Sequence, residues 1–575
     1  MREKLENLIH DALQNLGIKE PKAILEHPTE LSHGDYATNA ALMYAKELKM
    51  KPQDLAEAIK KHIEDHQPEE VKDIAIAAPG FINFSLTNKF LNSTIETILD
   101  KEDSYGASDT LKGKKVMVEY TQPNPFKQFH IGHLMSNTIG ESISRIIEFS
   151  GADVKRANYQ GDVGQHVAKA VWAMLNSKST LPKDSDDLSI KSKYLGAAYV
   201  LGAASYKEND NVKKEIDEIN KKIYANNAGD EINQLYKKGL QWSLDHFEEI
   251  YKKLGTKFDY YFFEGLSAKE GMNIVDEYLK KGVFEKSEGA VIFKGEEHGL
   301  HTRVFITSLG LPTYETKELG NNRNKFAIEP DLDESIVVTA HEQADYFHVL
   351  LKVFEFIDKN ISEKTKHISH GMMLGPDGKK MASRKGKVIV AESFIDELEK
   401  EVFKKMNESD RDFTEEEKDM IAEYVAVGAA KFSILKQQPG KNIVFDISHA
   451  LSFEGDSGPY LQYSYTRALS LLQKAKEQNI SSDTKNIIDD EYVHTVEQYL
   501  YRFPEIVARA LEDYAPQGIV NYLLELAQKF NTLYAHVTIV DDSPEAPYKV
   551  ALTKAFSVVM KNGLNLLGIK TPEKM

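Results

Sequence analysis

Val116-Met117-Val118-Glu119-Tyr120-Thr121-Gln122-Pro123-Asn124-Pro125-Phe126-Lys127-Gln128-Phe129-His130-Ile131-Gly132-His133 leads from an apolar run of strand character into a run of helical spacing, with Leu134, Ile139, Ile143, Ile146 and Ile147 on one side. Its two histidines therefore fall where a strand hands over to a helix. A helix start presents unpaired N–H groups and the positive end of its dipole, so this junction suits a phosphate. Far downstream, Asp377-Gly378-Lys379-Lys380-Met381-Ala382-Ser383-Arg384-Lys385-Gly386 gathers cations in a loop. Together the two segments read as an ATP site.

Working outward, strands and helices alternate: a helix to Phe149, a strand over 154–159, then Gly161-Asp162-Val163-Gly164. Such alternation predicts a parallel sheet with crossover helices. The stretch 176–254 breaks the rhythm with long charged helices and reads as a helical insertion. Short strands at 290–293, 303–307, 335–339 and 367–374 are expected to complete the same sheet. Upstream, Leu5, Leu8, Ile9, Ala12, Leu13 and Leu16 share a helix face, and 74–77 and 81–84 read as strands around Pro79-Gly80. A compact α+β module follows from these. Beyond about Thr414 the pattern is almost wholly helical, as in a bundle.

A chain of 575 residues exceeds what one hydrophobic core serves, so roughly three to five domains of about 100 to 200 residues are expected. The chain has 41% hydrophobic and 28% charged residues, without an apolar stretch long enough to cross a bilayer. The start carries alternating charge and no signal-peptide pattern, which makes the cytoplasm the expected location. Zero cysteines exclude disulfides and Cys-ligated metal. With 72 Lys and Arg against 89 Asp and Glu, the net charge of −17 argues against a nonspecific nucleic-acid coat. A folded RNA on a local basic surface stays open, with candidates at Lys252, Lys253 and Lys257, at Lys280 and Lys281, and in the stretches 379–387 and 431–441. Most such clusters are solvated faces.

His130 and His133, three apart on an incipient helix, can point to one side and offer two N–H donors beside the positive helix end. Preorganised donors and cations are what phosphoryl chemistry needs as charge builds. Gly132 lets a nucleotide approach the backbone. In isolation the pattern His-x-Gly-His is a weak sign. Zinc is a poorer reading, because no third ligand lies nearby; no metal held by the protein is expected.

The first motif resembles the HIGH signature of class I aminoacyl-tRNA synthetases, and Lys380-Met381-Ala382-Ser383-Arg384 resembles the KMSKS loop of that class. The flank Glu119 to Pro125 with Lys127 and His130 is similar to the arginyl-tRNA synthetase form of the motif. So are Gly371 to Met381, His33-Gly34-Asp35-Tyr36-Ala37-Thr38-Asn39, and Pro459-Tyr460-Leu461-Gln462-Tyr463-Ser464-Tyr465-Thr466-Arg467. The fold this implies is α/β and multidomain: an N-terminal α+β tRNA-binding module (1–110), a Rossmann-like parallel-sheet catalytic domain (111–413) with a helical insertion, and a C-terminal all-α anticodon-binding bundle (414–575). The implied activity is ligation of L-arginine to tRNA through an arginyl-adenylate, with ATP as substrate and Mg2+ on the nucleotide.

The resemblance assigns catalysis to His130, His133, Lys127 and Lys380, and ATP contacts to Gly132, Lys379, Met381, Ser383 and Arg384. Ser383 stands where the loop's second lysine is usual, and Lys127 matches the lysine thought to compensate. Val163 replaces a usual tryptophan. An arginine substrate needs carboxylates, because its guanidinium is always cationic and prefers a planar two-oxygen partner. Glu119, Gln122, Asn124, Tyr314, Glu318 and Gln343 match pocket positions, Glu318 in place of the commoner aspartate. Phe81, Asn83, Tyr460, Tyr463 and Arg467 are the implied tRNA contacts, while tyrosines at helical spacing are more often core. The implied partners are tRNA, arginine and ATP, with no membrane, and a monomer is expected. The resemblance also implies that tRNA must be bound before activation. Rival readings are a class I synthetase of other specificity, a nonenzymatic RNA-binding descendant, and a nucleotidylyltransferase-like enzyme, which leaves the long helical C-terminal region unexplained.

Overall fold

Val116, Met117 and Val118 are buried on both faces, as a strand must be when helices cover both sides of a parallel sheet. They belong to β1 (Lys115–Glu119), the middle strand of five. The computed structural model describes residues 1–22, 24–177, 180–225, 229–379, 389–408 and 413–575. From β1 the chain enters helix α1 (Ile131–Phe149), then β2 (Asp153–Gln160), β3 (Tyr260–Phe263), helix α2 (Glu264–Lys280), helix α3 (Tyr314–Ile328), β4 (Glu334–Ala340) and β5 (Thr365–His370). The sheet order is β5-β4-β1-β2-β3 with every pair parallel. Strand order reverses between β1 and β4, and in doubly wound sheets the crevice beyond the carboxyl ends at that point is where ligands bind.

Three details differ from the strand pattern read in the sequence: of 367–374 only the part to His370 joins the parallel sheet, while Met373–Leu374 pairs with Ile443–Val444 in a two-stranded sheet. Ala290–Phe293 and Arg303–Ile306 do not join the parallel sheet; with Glu285–Ser287 they form a separate antiparallel sheet. Short apolar runs do not declare their partners. β3 takes the edge place instead, built from Tyr260, Tyr261, Phe262 and Phe263. Between β2 and β3 the stretch over 188–254 is three helices, Leu188–Glu208, Asp210–Ala225 and Glu231–Leu254.

The chain divides into two compact units. One comprises Met1–Tyr105, Arg467–Pro504 and Glu525–Lys561; the other Gly106–Thr466, Glu505–Leu524 and Asn562–Met575. In the first unit an antiparallel sheet ordered Leu25–Glu26, Tyr36–Thr38, Phe81–Leu86, Val71–Ala77 packs with helices Arg2–Asn15 and Pro52–Glu64 around Leu5, Ile9, Leu13, Ile59 and Phe84. His33-Gly34-Asp35-Tyr36 serves this core. Gly34 has φ +88° and any Cβ there would meet the Phe84 carbonyl oxygen at 2.6 Å, so only glycine fits. Buried Asp35 accepts from the Leu86 N–H (2.7 Å) and from Gln498 (3.1 Å), and Tyr501 donates to the Asp35 carbonyl (3.2 Å). After Thr414 the chain is helical, with long helices such as Glu415–Leu435, Gln517–His536 and Ala546–Leu566. Among the described residues no helix is long and apolar enough to cross a membrane.

Candidate active site

Thr121 and Gln122, just past β1, have φ of +79° and +50°, and Phe126 has +66°, a region that non-glycine residues rarely enter. Hydrogen bonds hold the turn. The Thr121 N–H donates to Ser136 (3.0 Å), Asn137 donates to the Thr121 hydroxyl (3.0 Å), and the Phe126 N–H donates to Ser243 (2.9 Å). The segment is thereby pinned over the start of α1, whose N-cap is His130.

His130 and His133 stack with ring centroids 3.5 Å apart and planes 18° from parallel. His133 Nδ1 accepts from the His130 N–H (3.2 Å), and His130 Nδ1 accepts from the Gly132 N–H (3.1 Å). A ring nitrogen that accepts carries no proton, so each neutral ring keeps its proton on Nε2 as a donor. Burial holds His133 well below the usual histidine range, helped by His130 and Lys127, which keeps it neutral. Gly132 spares the stack a tight contact, because a Cβ there would lie 3.1 Å from the His130 ring. Lys127 is half-buried, its Nζ 5.0 Å from the Tyr199 ring centre; burial first and Lys169 second lower its affinity for a proton, against Glu264.

Lys379 is exposed and closes a turn, its carbonyl accepting from the Gly375 N–H (2.9 Å). Lys380, Met381, Ser383 and Arg384 lie outside the described residues. The chain beyond them returns to the histidine corner: the Ile131 N–H donates to Ile389 (3.1 Å) and the Ala391 N–H to Phe129 (2.9 Å). The downstream stem of the lysine loop is therefore bonded to the start of α1.

Beside this corner, at the β1/β4 reversal, lies a cavity of about 470 Å³. Glu119, Gln122, Asn124, Tyr314, Glu318 and Gln343, drawn from separate stretches of the sequence, all line it. Asn124 lies over Gly161, where a Cβ would meet its Oδ1 at 2.5 Å. Tyr314 is 71% exposed and stands at the lip. Glu119 and Glu318 are both buried, but in different company. Glu119 accepts from Gln122 (2.9 Å) and Asn321 (2.9 Å) and is paired with the fully buried Lys325 at 2.6 Å. Among the described residues, Glu318 accepts from amide donors, Asn321 at 3.3 Å and Asn322 at 3.1 Å. Burial, then Glu119, pushes Glu318 up to about 8, against the pull of Lys325.

The sequence reading missed several residues of this site: in the wall the pair Lys317–Glu264 at 2.7 Å, Arg303 beside Glu315 at 3.7 Å, and Tyr346, and behind the wall Lys325. One sequence signal for Lys325 existed. Glu318, Asn321, Asn322 and Lys325 stand at i, i+3, i+4 and i+7, a polar stripe on one face of a helix that the structure buries. Val163 packs in an apolar cluster with Phe126, Val167 and Tyr236, so the residue in the tryptophan's place serves the core. The described residues contain no group of three or more acidic, histidine or cysteine side chains suited to a metal.

The expected RNA-contacting residues scatter. Phe81 is 39% exposed, whereas Asn83 is buried within its sheet between Ala37 and Ala75. Tyr460 and Tyr463 are half-buried, and Tyr463 meets Phe453 edge-on at 6.2 Å. Arg467 donates to Asn531 and lies 4.7 Å above the ring of Tyr534.

Three family models match the chain: "tRNA synthetases class I (R), catalytic domain" over 94–447, "DALR anticodon binding domain" over 461–575, and "Arginyl tRNA synthetase N terminal domain" over 3–86. Among similar curated proteins, the arginine–tRNA ligase of Borrelia hermsii is 31% identical, covering 100% of this chain and 99% of its own. That of Halothermothrix orenii is 30% identical over the same shares. In fold the chain is similar to Thermus thermophilus arginyl-tRNA synthetase, with a TM-score of 0.83 at 24% identity and 100% of both chains covered. The Plasmodium falciparum arginyl-tRNA synthetase gives 0.78 at 20% identity, covering 100% of this chain and 99% of its own.

Proposed function

The chain belongs to the class I arginyl-tRNA synthetase family, and from that premise we propose how its residues divide the work. It is an arginine–tRNA ligase that charges tRNA with ATP as a substrate. In the proposed first step, arginine lies in the cavity with its guanidinium on Glu318 and Glu119, flanked by Gln122, Asn124, Tyr314 and Gln343. Its carboxylate oxygen attacks the α-phosphorus of ATP, and the bond to the β-phosphate oxygen breaks, releasing pyrophosphate. His130 and His133 donate from Nε2, and Lys127 with Lys380 spreads the charge of the phosphates. Gly132, Lys379, Met381, Ser383 and Arg384 complete the ATP contacts. In the second step a ribose hydroxyl of the terminal adenosine takes the arginyl group and AMP leaves. No protein nucleophile is needed.

The supporting observation is convergence: carboxylates and amides suited to a guanidinium line one cavity beside two neutral imidazoles at a helix start. Magnesium ion would enter on the phosphates of ATP and supply charge neutralisation there. We further assign tRNA contacts to the 1–110 and 414–575 regions, with Phe81, Asn83, Tyr460, Tyr463 and Arg467 as candidates, catalysis to 111–413, and a cytoplasmic monomer as the working form. Asn83 is buried on an inner strand of its sheet, so the exposed Phe81 at the start of that strand is the stronger candidate. His133→Ala tests the catalytic half. Arginine-dependent pyrophosphate exchange with tRNA present should fall by about 100-fold, roughly 3 kcal/mol for one preorganised donor, at unchanged tRNA affinity. Equal loss of both would point to misfolding. Exchange that is full without tRNA would remove the requirement for prior tRNA binding.

A further inference from the structure

Three of the five wall carboxylates of the cavity are matched to cations. Glu264 has Lys317 at 2.7 Å, Glu315 has Arg303 at 3.7 Å, and Glu119 has Lys325 at 2.6 Å; Glu342 sits at the exposed rim. Glu318 forms no ion pair with any described residue. Its Oε1 accepts from Asn321 and Asn322, and Asn321 Nδ2 also reaches Glu119 at 2.9 Å, so one amide holds both carboxylates side by side. Lys325 is 0% exposed and stands behind the lining instead of in it.

We propose that Lys325 is a built-in counter-cation that occupies Glu119 and leaves Glu318 as the one carboxylate an incoming guanidinium neutralises, so that the site is matched to a single positive charge. The proposal rests on the reading of this cavity as the arginine pocket. Two neighbouring carboxylates in a buried site cannot both stay ionised without a cation. With Lys325 in place one is satisfied, and the other waits for substrate. Before arginine enters, Glu318 holds a proton through neutral pH, since burial and Glu119 push it up to about 8. A guanidinium cannot lose its charge, so binding sends the Glu318 proton to solvent and replaces it with the substrate's cation. Lys325 acts through Glu119 and Glu318; it is a positioning residue.

Calorimetric titration of the full chain with arginine, in two buffers of different ionisation enthalpy, reads this directly. Close to one proton should leave per arginine at pH 7, and Kd should fall roughly tenfold per pH unit up to about pH 8, then level off. Lys325→Met should move that break to higher pH and weaken binding at pH 7 by about tenfold or more, with ATP affinity unchanged. Lys325→Arg should restore both. The double variant Glu119→Gln/Lys325→Met, lacking both buried charges, should bring the break back to or below its original place and be more stable than Lys325→Met alone. An unmoved break in Lys325→Met, or a double variant no better than the single in binding or stability, overturns the proposal. Glu318→Gln separates it from its premise: if that variant binds arginine normally, the pocket reading fails, whatever Lys325 does.

Discussion

Glu318 is a carboxylate that the fold tolerates as an acid and the substrate requires as a base. Its folded value near 8 lies above the ordinary carboxylate range, so the stability it confers is full below about pH 4.5 and is lost as pH rises toward 8 and beyond. Glu318→Gln, which cannot ionise, should therefore match the parent in urea unfolding at pH 5 and exceed it at pH 9, while arginine charging collapses. Equal stability at both pH values would contradict the account of that carboxylate. Glu119→Gln acts differently: it frees the buried Lys325 to pair with Glu318, so the arginine KM should rise steeply at unchanged ATP KM, as initial-rate kinetics would measure. This asymmetry was not legible in the sequence, where Glu119 and Glu318 looked equivalent. It comes from Lys325, whose spacing from Glu318 was visible but whose burial was not, because lysines on helices are usually solvated. The tautomers of His130 and His133 were likewise beyond the sequence, since each depends on a backbone N–H two or three residues away.

At the scale of elements, the pocket depends on how closely α2 and α3 cross. A Cβ on Gly320 would lie 1.9 Å from the Ser267 carbonyl oxygen, and one on Gly271 would lie 1.8 Å from that of Thr316. Both glycines make room for a neighbouring backbone. Gly320→Ala should cost about 1 to 3 kcal/mol of stability through overpacking. Because Gly320 adjoins the stretch carrying Glu318, Asn321 and Lys325, it should also raise the arginine KM more than the ATP KM; denaturation and steady-state kinetics check the two halves separately. The sequence revealed β1, α1 and β2 because their apolar spacing is long and unambiguous. It misplaced 290–293 and 303–307, since strand propensity says nothing about which neighbour completes the hydrogen bonds. β3 escaped notice because four aromatics after a charged helix show no alternation.

For the whole molecule, the two compact units are not contiguous in sequence. Residues 467–504 and 525–561 share a unit with the first 105 residues, and Tyr501 belongs to the N-terminal apolar core, where Tyr36 and Phe90 lie within 5.9 Å and 5.8 Å of its ring. Residue-level motifs such as His33-Gly34-Asp35-Tyr36 flagged that region, but periodicity cannot predict which distant helix supplies a partner to Asp35. A chain lacking 1–105 should thus expose Tyr501 and Phe503 and melt its helical region earlier than the full protein, as far-ultraviolet circular dichroism would record. An unaltered melt would contradict the shared core. The central claim is that the cavity at the β1/β4 reversal selects arginine for activation beside His130 and His133. The most direct measurement is charging of transcribed tRNA with all twenty amino acids in competition, with the ester product identified by mass, for the parent and for Glu318→Gln. The account predicts arginine alone on the parent's tRNA and almost none with the variant; another amino acid on the parent's tRNA, or full arginine charging by the variant, would contradict it.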